Sequence, residues 1–174
     1  ATRRKVEAAL DKLRRDRAAP ATRRVALWCE SGSSFNRALA EAVQTVHRTL
    51  PAVAIRDTYA LTDALDAQAF SSGLLQAGLE ADGAVVVARE HPAINGAIRQ
   101  LRRAGKPVVC LTTDLPSARR HAYVGNDQRA AGSVAAQVIG QALCDAGRPI
   151  LLIMSAAFRC QVEREMGFRR VLRA

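Results

Sequence analysis

Short apolar runs alternate with longer amphipathic stretches along most of the chain, and this alternation constrains the fold more than any other feature. The runs are rich in Val, Leu, Ile and Ala, which is typical of strands that helices cover on both faces. Strands that alternate with helices favour a three-layer α/β fold with a mainly parallel sheet. The predicted strands are Val25–Cys29, Ala52–Ile55, Ala84–Ala88, Val108–Leu111, Ala122–Val124 and Ile150–Met154.

The amphipathic stretches are predicted to be helices. The clearest one follows the fifth strand, where Val134, Val138 and Leu143 belong to an apolar stripe that is typical of a helix lying on a sheet. Gly105-Lys106-Pro107 and Gly147-Arg148-Pro149 each indicate a helix end followed by a strand. No helical period is present between the fourth and fifth strands, so a loop is predicted there. The predicted helices are Phe35–Leu50, Asp63–Ala77, Pro92–Ala104, Gln128–Ala146 and Gln161–Leu172.

The first 24 residues carry a large share of the positive charge. Nine arginines and lysines stand there against three acids, in a chain with a formal net charge of +10. Clustered cations favour nucleic acid, because they displace counterions from phosphates, but a solvated Arg-rich helix explains them equally well. A helix is predicted from Thr2 to about Arg17, before a break at Ala18-Ala19-Pro20-Ala21. We therefore expect residues 1–22 to form a basic helix and a linker.

The four cysteines, Cys29, Cys110, Cys144 and Cys160, have neither close pairing nor CxxC spacing. This pattern argues against a disulfide framework and against a zinc site, and the three histidines have no metal-ligand spacing either. We therefore expect no metal, no cofactor and a reducing, cytoplasmic compartment. The sequence also lacks a leader and a long apolar run, so neither a signal peptide nor a membrane span is expected.

Two stretches resemble a known family. The first is His121-Ala-Tyr-Val-Gly-Asn-Asp-Gln-Arg-Ala-Ala-Gly132, and the second is Arg164-Glu-Met-Gly-Phe-Arg-Arg-Val-Leu172. With the order of elements, they resemble the LacI/GalR transcriptional regulators and their type 1 periplasmic-binding-protein-like fold. The resemblance implies an effector-binding domain, with residues 23–148 as a Rossmann-like N-terminal lobe. Residues 149–174 would be the first strand and helix of a truncated C-terminal lobe.

The resemblance also implies a function. The resemblance implies that a small polar effector, such as a sugar or polyol, controls the affinity of a homodimer for operator DNA. Thr2–Leu13 is similar to the last helix of the family's DNA-binding headpiece, but the hinge residues of the family are replaced by Arg14-Arg15-Asp16-Arg17. The helix-turn-helix is not in this sequence, so DNA would be bound through a headpiece that these residues do not contain. Phe35–Leu50 is the helix expected at the dimer interface.

Ligands bind at the carboxyl ends of the strands in open α/β sheets, so the candidate site residues follow the strands. After the first strand, the stretch from Glu30 to Asn36 offers hydroxyl groups and a helix N-terminus to an anion or a sugar. Ser33 or Ser34 is equally suited to be the helix N-cap, and Phe35 to pack in the core. The resemblance favours ligand contact for Ser33, Phe35 and Asn36.

The third, fourth and fifth strands each lead to polar residues. Glu90, in Arg89-Glu90-His91, is a candidate for contact with a polar ligand, although loops of this kind are usually only solvated. Thr112-Thr113-Asp114 suits either a polar rim or a turn. Asp127 is suited to cap the Gln128 helix, and the resemblance also implies an acidic ligand contact there.

Arg159 and Arg164 follow the sixth predicted strand. Arg164 lies four residues before Phe168, where the resemblance implies an arginine that binds sugar hydroxyls or a carboxylate. Its planar fork of donors suits such groups, whereas Glu163 and Glu165 project from other faces of the helix. Arg159 is a further candidate.

An enzyme is not expected, because the sequence has no GxSxG, Walker, GxGxxG or HExxH motif and hence no candidate catalytic residues. Two alternatives to a regulator stay open. A periplasmic sugar-binding protein of a transporter would share the fold and the ligand chemistry. A flavodoxin-like enzyme that handles phosphate would use the hydroxyl groups of Ser31–Ser34.

Overall fold

The computed structural model describes residues 22–143 and 150–173. Five parallel strands form one sheet in the order β2-β1-β3-β4-β5, which confirms the predicted α/β fold class. The strands are β1 (Arg23–Ser31), β2 (Val53–Leu61), β3 (Gly83–Val87), β4 (Val108–Leu111) and β5 (Ala122–Val124). The helices are α1 (Ser33–Thr49), α2 (Ala67–Glu80), α3 (Pro92–Arg103), α4 (Gln128–Ala142) and α5 (Arg159–Leu172), and two short 3-10 helices span Thr62–Ala64 and Pro116–Ala118.

The main hydrophobic core lies between the sheet and the pair α2 and α3. These two helices pack against each other and onto β1, β3 and β4, whereas α1 packs on β1 and β2. Burial of a large apolar side chain contributes roughly 1.5–3 kcal/mol, so this layer dominates the stability of the sheet. Its large members include Trp28, Phe70, Leu74, Val86, Ile94, Ile98, Leu101 and Val108.

Local capping explains where several elements begin and end. Asp127 caps α4 as predicted, accepting a hydrogen bond from the backbone N–H of Ala130 at 2.9 Å, and Gly105 follows α3 with a φ of +75°. The helix predicted from Asp63 begins later, because the carboxylate of Asp66 caps α2 through Gln68 and Ala69. At the start of α1 the N-cap is Gly32, so the predicted capping role of Ser33 or Ser34 is wrong.

The predicted strand Ile150–Met154 is wrong. This segment is not part of the sheet, and Leu151 and Ile153 are 83% and 80% exposed. A strand is defined by hydrogen bonds to a neighbouring strand, and none of the described strands lies beside this segment. The apolar run alone was therefore an insufficient signal.

The prediction that α4 lies on the sheet is also wrong, because α4 packs mainly against α5. Val134 and Val138, from the predicted apolar stripe, are 57% and 59% exposed. The two helices instead meet at glycines. A Cβ atom on Gly132 would overlap the carbonyl oxygen of Arg164, and one on Gly167 would overlap that of Arg129. The two stretches that carry the family resemblance therefore contact each other directly.

Some predictions lie outside the described residues. These are the N-terminal helix from Thr2 to about Arg17, the linker after it, Cys144, and the Gly147-Arg148-Pro149 turn. The predicted loop between β4 and β5 is described, and it contains the 3-10 helix Pro116–Ala118.

Candidate functional site

A cleft of about 800 Å³ opens at the carboxyl ends of the strands. One wall consists of residues that follow β1, β2, β3 and β4, among them Ser31, Arg89 and Thr112. The opposite wall consists of Ser155, Ala156 and the first part of α5. The strand order reverses at β1, and an open α/β sheet binds ligands at this kind of position.

Three of the predicted site residues, Ser33, Phe35 and Arg164, line this cleft. Ser33 is exposed at the first position of α1, whose N-cap Gly32 provides no side-chain hydrogen bond. The first N–H groups of a helix carry a positive partial charge, so this end suits an anion or a hydroxyl oxygen. Phe35 is half-buried and offers an apolar surface in the same wall.

Arg164 is held in the cleft by an amide and not by an acid. Its Nε donates to Oε1 of Gln128 at 2.6 Å, and Nε2 of Gln128 donates to the carbonyl of Thr112 at 3.2 Å. The neighbouring acids are engaged elsewhere on the same helix, Glu163 with Arg159 at 3.0 Å and Glu165 with Arg169 at 2.6 Å. The charge of Arg164 is thus not neutralised by any carboxylate in the described part of the chain.

Gln128 is a site residue that the sequence analysis did not identify. It is almost fully buried although it is polar, and it joins the end of β4 to α5. Buried polar side chains need hydrogen-bond partners. It lies directly after the N-cap Asp127, within the stretch that carries the family resemblance, but neither signal indicated its contact with Arg164.

An ion pair between a half-buried arginine and a buried glutamate lies beside the cleft. Glu30 is fully buried at the end of β1 and pairs with Nε of Arg89, while the backbone N–H of Arg89 donates to Oε2 of Glu30 at 3.0 Å. The Arg89 guanidinium also donates to the carbonyl of Thr62 at 3.1 Å. The pair joins the ends of β1, β2 and β3. Arg89 also lines the cleft, although loops of this kind are usually only exposed to solvent.

Four other predicted site residues are not among those that line the cleft. Asn36 is buried, and its Nδ2 donates to the carbonyl of Ala60 at 3.1 Å, which ties α1 to β2. Glu90 is exposed and accepts from the backbone N–H of Ser117 at 3.3 Å. Asp127 is used as the cap of α4, and Arg159 is used in its pair with Glu163. Hydrogen bonds and an ion pair within the protein therefore engage all four side chains.

The cleft has a buried connection between its two walls. The backbone N–H of Cys160 donates to Oγ1 of Thr113 at 3.3 Å, so α5 is attached to the end of β4. Thr112, the preceding residue, has a φ of +64° and lines the cleft, which makes this segment both a turn and a polar rim.

The cysteines of the described region are free and buried. Burial raises the pKa of the Cys29 thiol to about 12, with a further contribution from the charge of Glu30. Burial likewise raises the pKa of the Cys110 thiol to about 11. Within residues 22–143 and 150–173, no three His, Cys, Asp or Glu side chains are grouped as metal ligands, and no helix has the length and apolar character of a membrane span.

Solved structures with the same fold include sugar-binding proteins and a regulator. GanP, a glucose-galactose binding protein from Geobacillus stearothermophilus, has a TM-score of 0.70 and 20% identity over 87% of this chain and 54% of that chain. The periplasmic component of an ABC-type sugar transport system from Hahella chejuensis has a TM-score of 0.69 and 22% identity over 86% and 55%. A putative LacI transcriptional regulator from Bacteroides fragilis has a TM-score of 0.64 and 18% identity over 87% and 55%.

The chain thus spans about half the length of the solved structures that it matches. No match was found among curated protein sequences. The model of the family described as "Periplasmic binding protein domain" matches residues 25–174, which is most of the chain. Because the fold, the cleft at the strand ends and this match agree, the chain belongs to the periplasmic binding protein domain family.

Proposed function

We propose that this chain is the effector-binding part of a cytoplasmic LacI-type transcriptional regulator, and that the cleft binds a small polar ligand such as a sugar or polyol. The observation that carries the proposal is the guanidinium of Arg164, which lines the cleft and contacts an uncharged amide. A planar fork of donors is suited to paired hydroxyl or carboxylate oxygens. Phe35 in the opposite wall offers an apolar surface to a sugar ring.

Two features of the chain support a regulator in preference to a transporter component. The first 24 residues are strongly basic, as expected of a segment near nucleic acid. Cys29, Cys110 and Cys160 are free, which suits a reducing compartment. In this proposal a homodimer binds operator DNA through a headpiece outside these 174 residues.

Regulation requires that the effector bind two arrangements of the protein unequally, since a ligand with equal affinity for both shifts no population. The cleft fits this requirement because its walls belong to different elements. One wall follows the sheet strands, and the other is α5, which is joined to the first through Gln128 and Thr113. A ligand that contacts both walls would favour one relative placement of α5, and the headpiece would respond to that placement.

The proposed ligand contact is tested by calorimetry on the complete protein with a panel of monosaccharides and polyols. Arg164→Ala is expected to weaken binding of the active ligand by roughly 1.5–3 kcal/mol, the range for hydrogen bonds to a charged group. Arg159→Ala is the matched control, because Arg159 lies on the same helix and pairs with Glu163 outside the cleft. Equal affinity of the Arg164→Ala variant and the wild type would contradict the assignment.

The second candidate function is a periplasmic sugar-binding protein of a transporter, which the similarity to GanP and the Hahella chejuensis component favours. The coding sequence upstream of Ala1 distinguishes the two candidates. A helix-turn-helix there would support the regulator, and a signal peptide would support the transporter component.

A further inference from the structure

Four arginines line a second, smaller cavity away from the cleft. The cavity measures about 210 Å³ and is lined by Arg99, Arg102, Arg103 and Arg119. The first three lie on α3, near the end that leads into β4, and Arg119 precedes β5. The cavity is therefore at the amino edge of the sheet, whereas the cleft of the proposed function is at the carboxyl edge.

The helix places the arginines of α3 together, and neighbouring residues hold Arg99 and Arg102. Arg99, Arg102 and Arg103 are three and four residues apart, so they share one face of α3. Nη1 of Arg99 donates to the carbonyl of Ser117 at 3.1 Å, which connects α3 to the segment carrying Arg119. Nη1 of Arg102 lies 2.6 Å from Nδ1 of His121. This contact connects α3 to the residue that precedes β5.

Arg119 occupies its place at a conformational cost. Its φ of 56° and ψ of 42° lie in the left-handed region, which residues other than glycine, asparagine and aspartate rarely adopt. Backbone strain of this kind concentrates at functional positions. The strained turn directs a fourth guanidinium into the cavity that α3 already lines with three.

No carboxylate in the described part of the chain forms an ion pair with these four arginines. The nearby acids are engaged elsewhere: Asp114 pairs with Arg120 at 2.8 Å, and Glu90 accepts from the backbone of Ser117. The positive charges around the cavity repel one another, and an anion bound in the cavity would be attracted to all of them. The carboxyl end of α3 carries a partial negative charge from the helix dipole, which offsets only part of this repulsion.

We propose that this arginine cluster binds a phosphate group, either as inorganic phosphate or as the terminal group of a small phosphomonoester. Guanidinium forks match phosphate oxygens in pairs, and a terminal phosphate carries close to two charges and three acceptor oxygens that can receive several forks at once. A duplex presents single charges along a convex rod, which suits a row of cations better than a small concave cavity. The site is independent of the sugar cleft and of the proposed function.

The test is calorimetry on the complete protein with inorganic phosphate and with glycerol phosphate, in chloride buffer at constant ionic strength. Arg103→Gln with Arg119→Gln is the test variant, since neither side chain has another described role. It is expected to bind phosphate at least about tenfold more weakly than the wild type. Arg37→Gln with Arg48→Gln removes the same charge from exposed positions of α1 and is expected to leave the affinity unchanged within about twofold.

A second variant, Arg103→Lys with Arg119→Lys, retains the charge and removes the forks, so an intermediate affinity is expected. It also serves if the glutamine variant fails to fold by circular dichroism. Tighter binding of glycerol phosphate than of inorganic phosphate would identify an ester as the natural ligand, and the reverse would identify the free ion. A DNA duplex is titrated as a third probe. The proposal is overturned if the wild type does not bind either phosphate probe, if both double variants bind like the wild type, or if the substitutions change only the binding of the duplex.

Discussion

Gln128 connects the two walls of the cleft through one buried amide. Its two ends bind Arg164 and the carbonyl of Thr112, which are distant from it in sequence. The amide is thus suited to place the guanidinium, while the guanidinium itself contacts the ligand. If Gln128 acts by positioning Arg164, substitutions of the two residues should have non-additive effects on ligand binding.

We predict that Gln128→Leu weakens ligand binding and that Arg164→Ala adds little further loss when the two are combined. Side chains that act through one contact give non-additive effects, because removing either one removes the same interaction. Calorimetry on the four proteins of this cycle measures the coupling. Additive losses would show that Gln128 stabilises the protein without placing Arg164.

The buried thiols of Cys29 and Cys110 predict a fall in stability at alkaline pH. Their pKa values are raised by burial from 9.0 to about 12 and about 11, respectively. Below the unfolded value both states are protonated, so the stabilisation is complete there. Above it the unfolded chain loses protons first, and stability is lost as the pH rises towards the folded values.

This dependence is measured as the free energy of unfolding in denaturant, from about pH 8 to about pH 10.5. The fall should be less steep in a Cys29→Ala, Cys110→Ala variant, because lysine and tyrosine titrations are common to both proteins. Equal slopes would show that the thiols do not contribute.

At the scale of elements, the contact between α4 and α5 decides where Arg164 lies. The backbones approach at Gly132 and Gly167, and the oxygen that Gly132 accommodates belongs to Arg164 itself. Ser133 adds a hydrogen bond to the carbonyl of Gly167 at 3.2 Å. Glycine at these two positions is therefore required by close approach and not by backbone conformation.

Gly132→Ala is predicted to destabilise the protein by about 1–3 kcal/mol or more, because the new methyl group has to separate the helices. Gly140→Ala on the same helix is the control. A Cβ there meets nothing within 4 Å, so alanine is expected to stabilise α4 by roughly 0.5–1 kcal/mol through its helix propensity. Thermal and denaturant unfolding measure both, and similar effects of the two substitutions would contradict a close helix contact at Gly132.

At the scale of the whole molecule, the homodimer stays a prediction, but the structure changes which kinds of residue are expected at an interface formed by α1. Within Ser33–Thr49 no large hydrophobic side chain is exposed, and Leu50 follows immediately after α1. Exposed large hydrophobic side chains lie instead on β2, α2, β5, α4 and α5 and in the segment from Leu151 to Met154. An interface at α1 would thus depend on small and polar residues.

Sedimentation of the complete protein measures the oligomeric state. If α1 forms the interface, Ala42→Glu at an exposed position of that helix should shift the dimer towards monomer. Ala130→Glu, at an exposed position of α4, should not. A monomer at all concentrations would contradict the dimer, and dissociation by Ala130→Glu alone would move the interface to α4.

The elements of residues 22–143 could be predicted from the sequence because their causes are local. Apolar periodicity and capping act over a few residues, and they correctly indicated five strands, the order of the helices, the cap at Asp127 and the turn at Gly105. The position after the first strand placed Ser33 and Phe35 at the cleft, whereas Arg164 was assigned through the family resemblance, because the strand predicted before it does not form.

Contacts between distant residues were decided only by the tertiary structure. Glu30 pairs with Arg89 across 59 positions and Gln128 with Arg164 across 36, and no local pattern encodes either contact. Four predicted site residues carry suitable polar groups but bind other parts of the protein and do not line the cleft. They are Asn36, Glu90, Asp127 and Arg159. Ile150–Met154 is apolar enough for a strand, but a strand forms only where a neighbouring strand offers backbone hydrogen bonds. Helix α4 packs on α5 and not on the sheet, because Gly132 allows the backbone of α5 to come close.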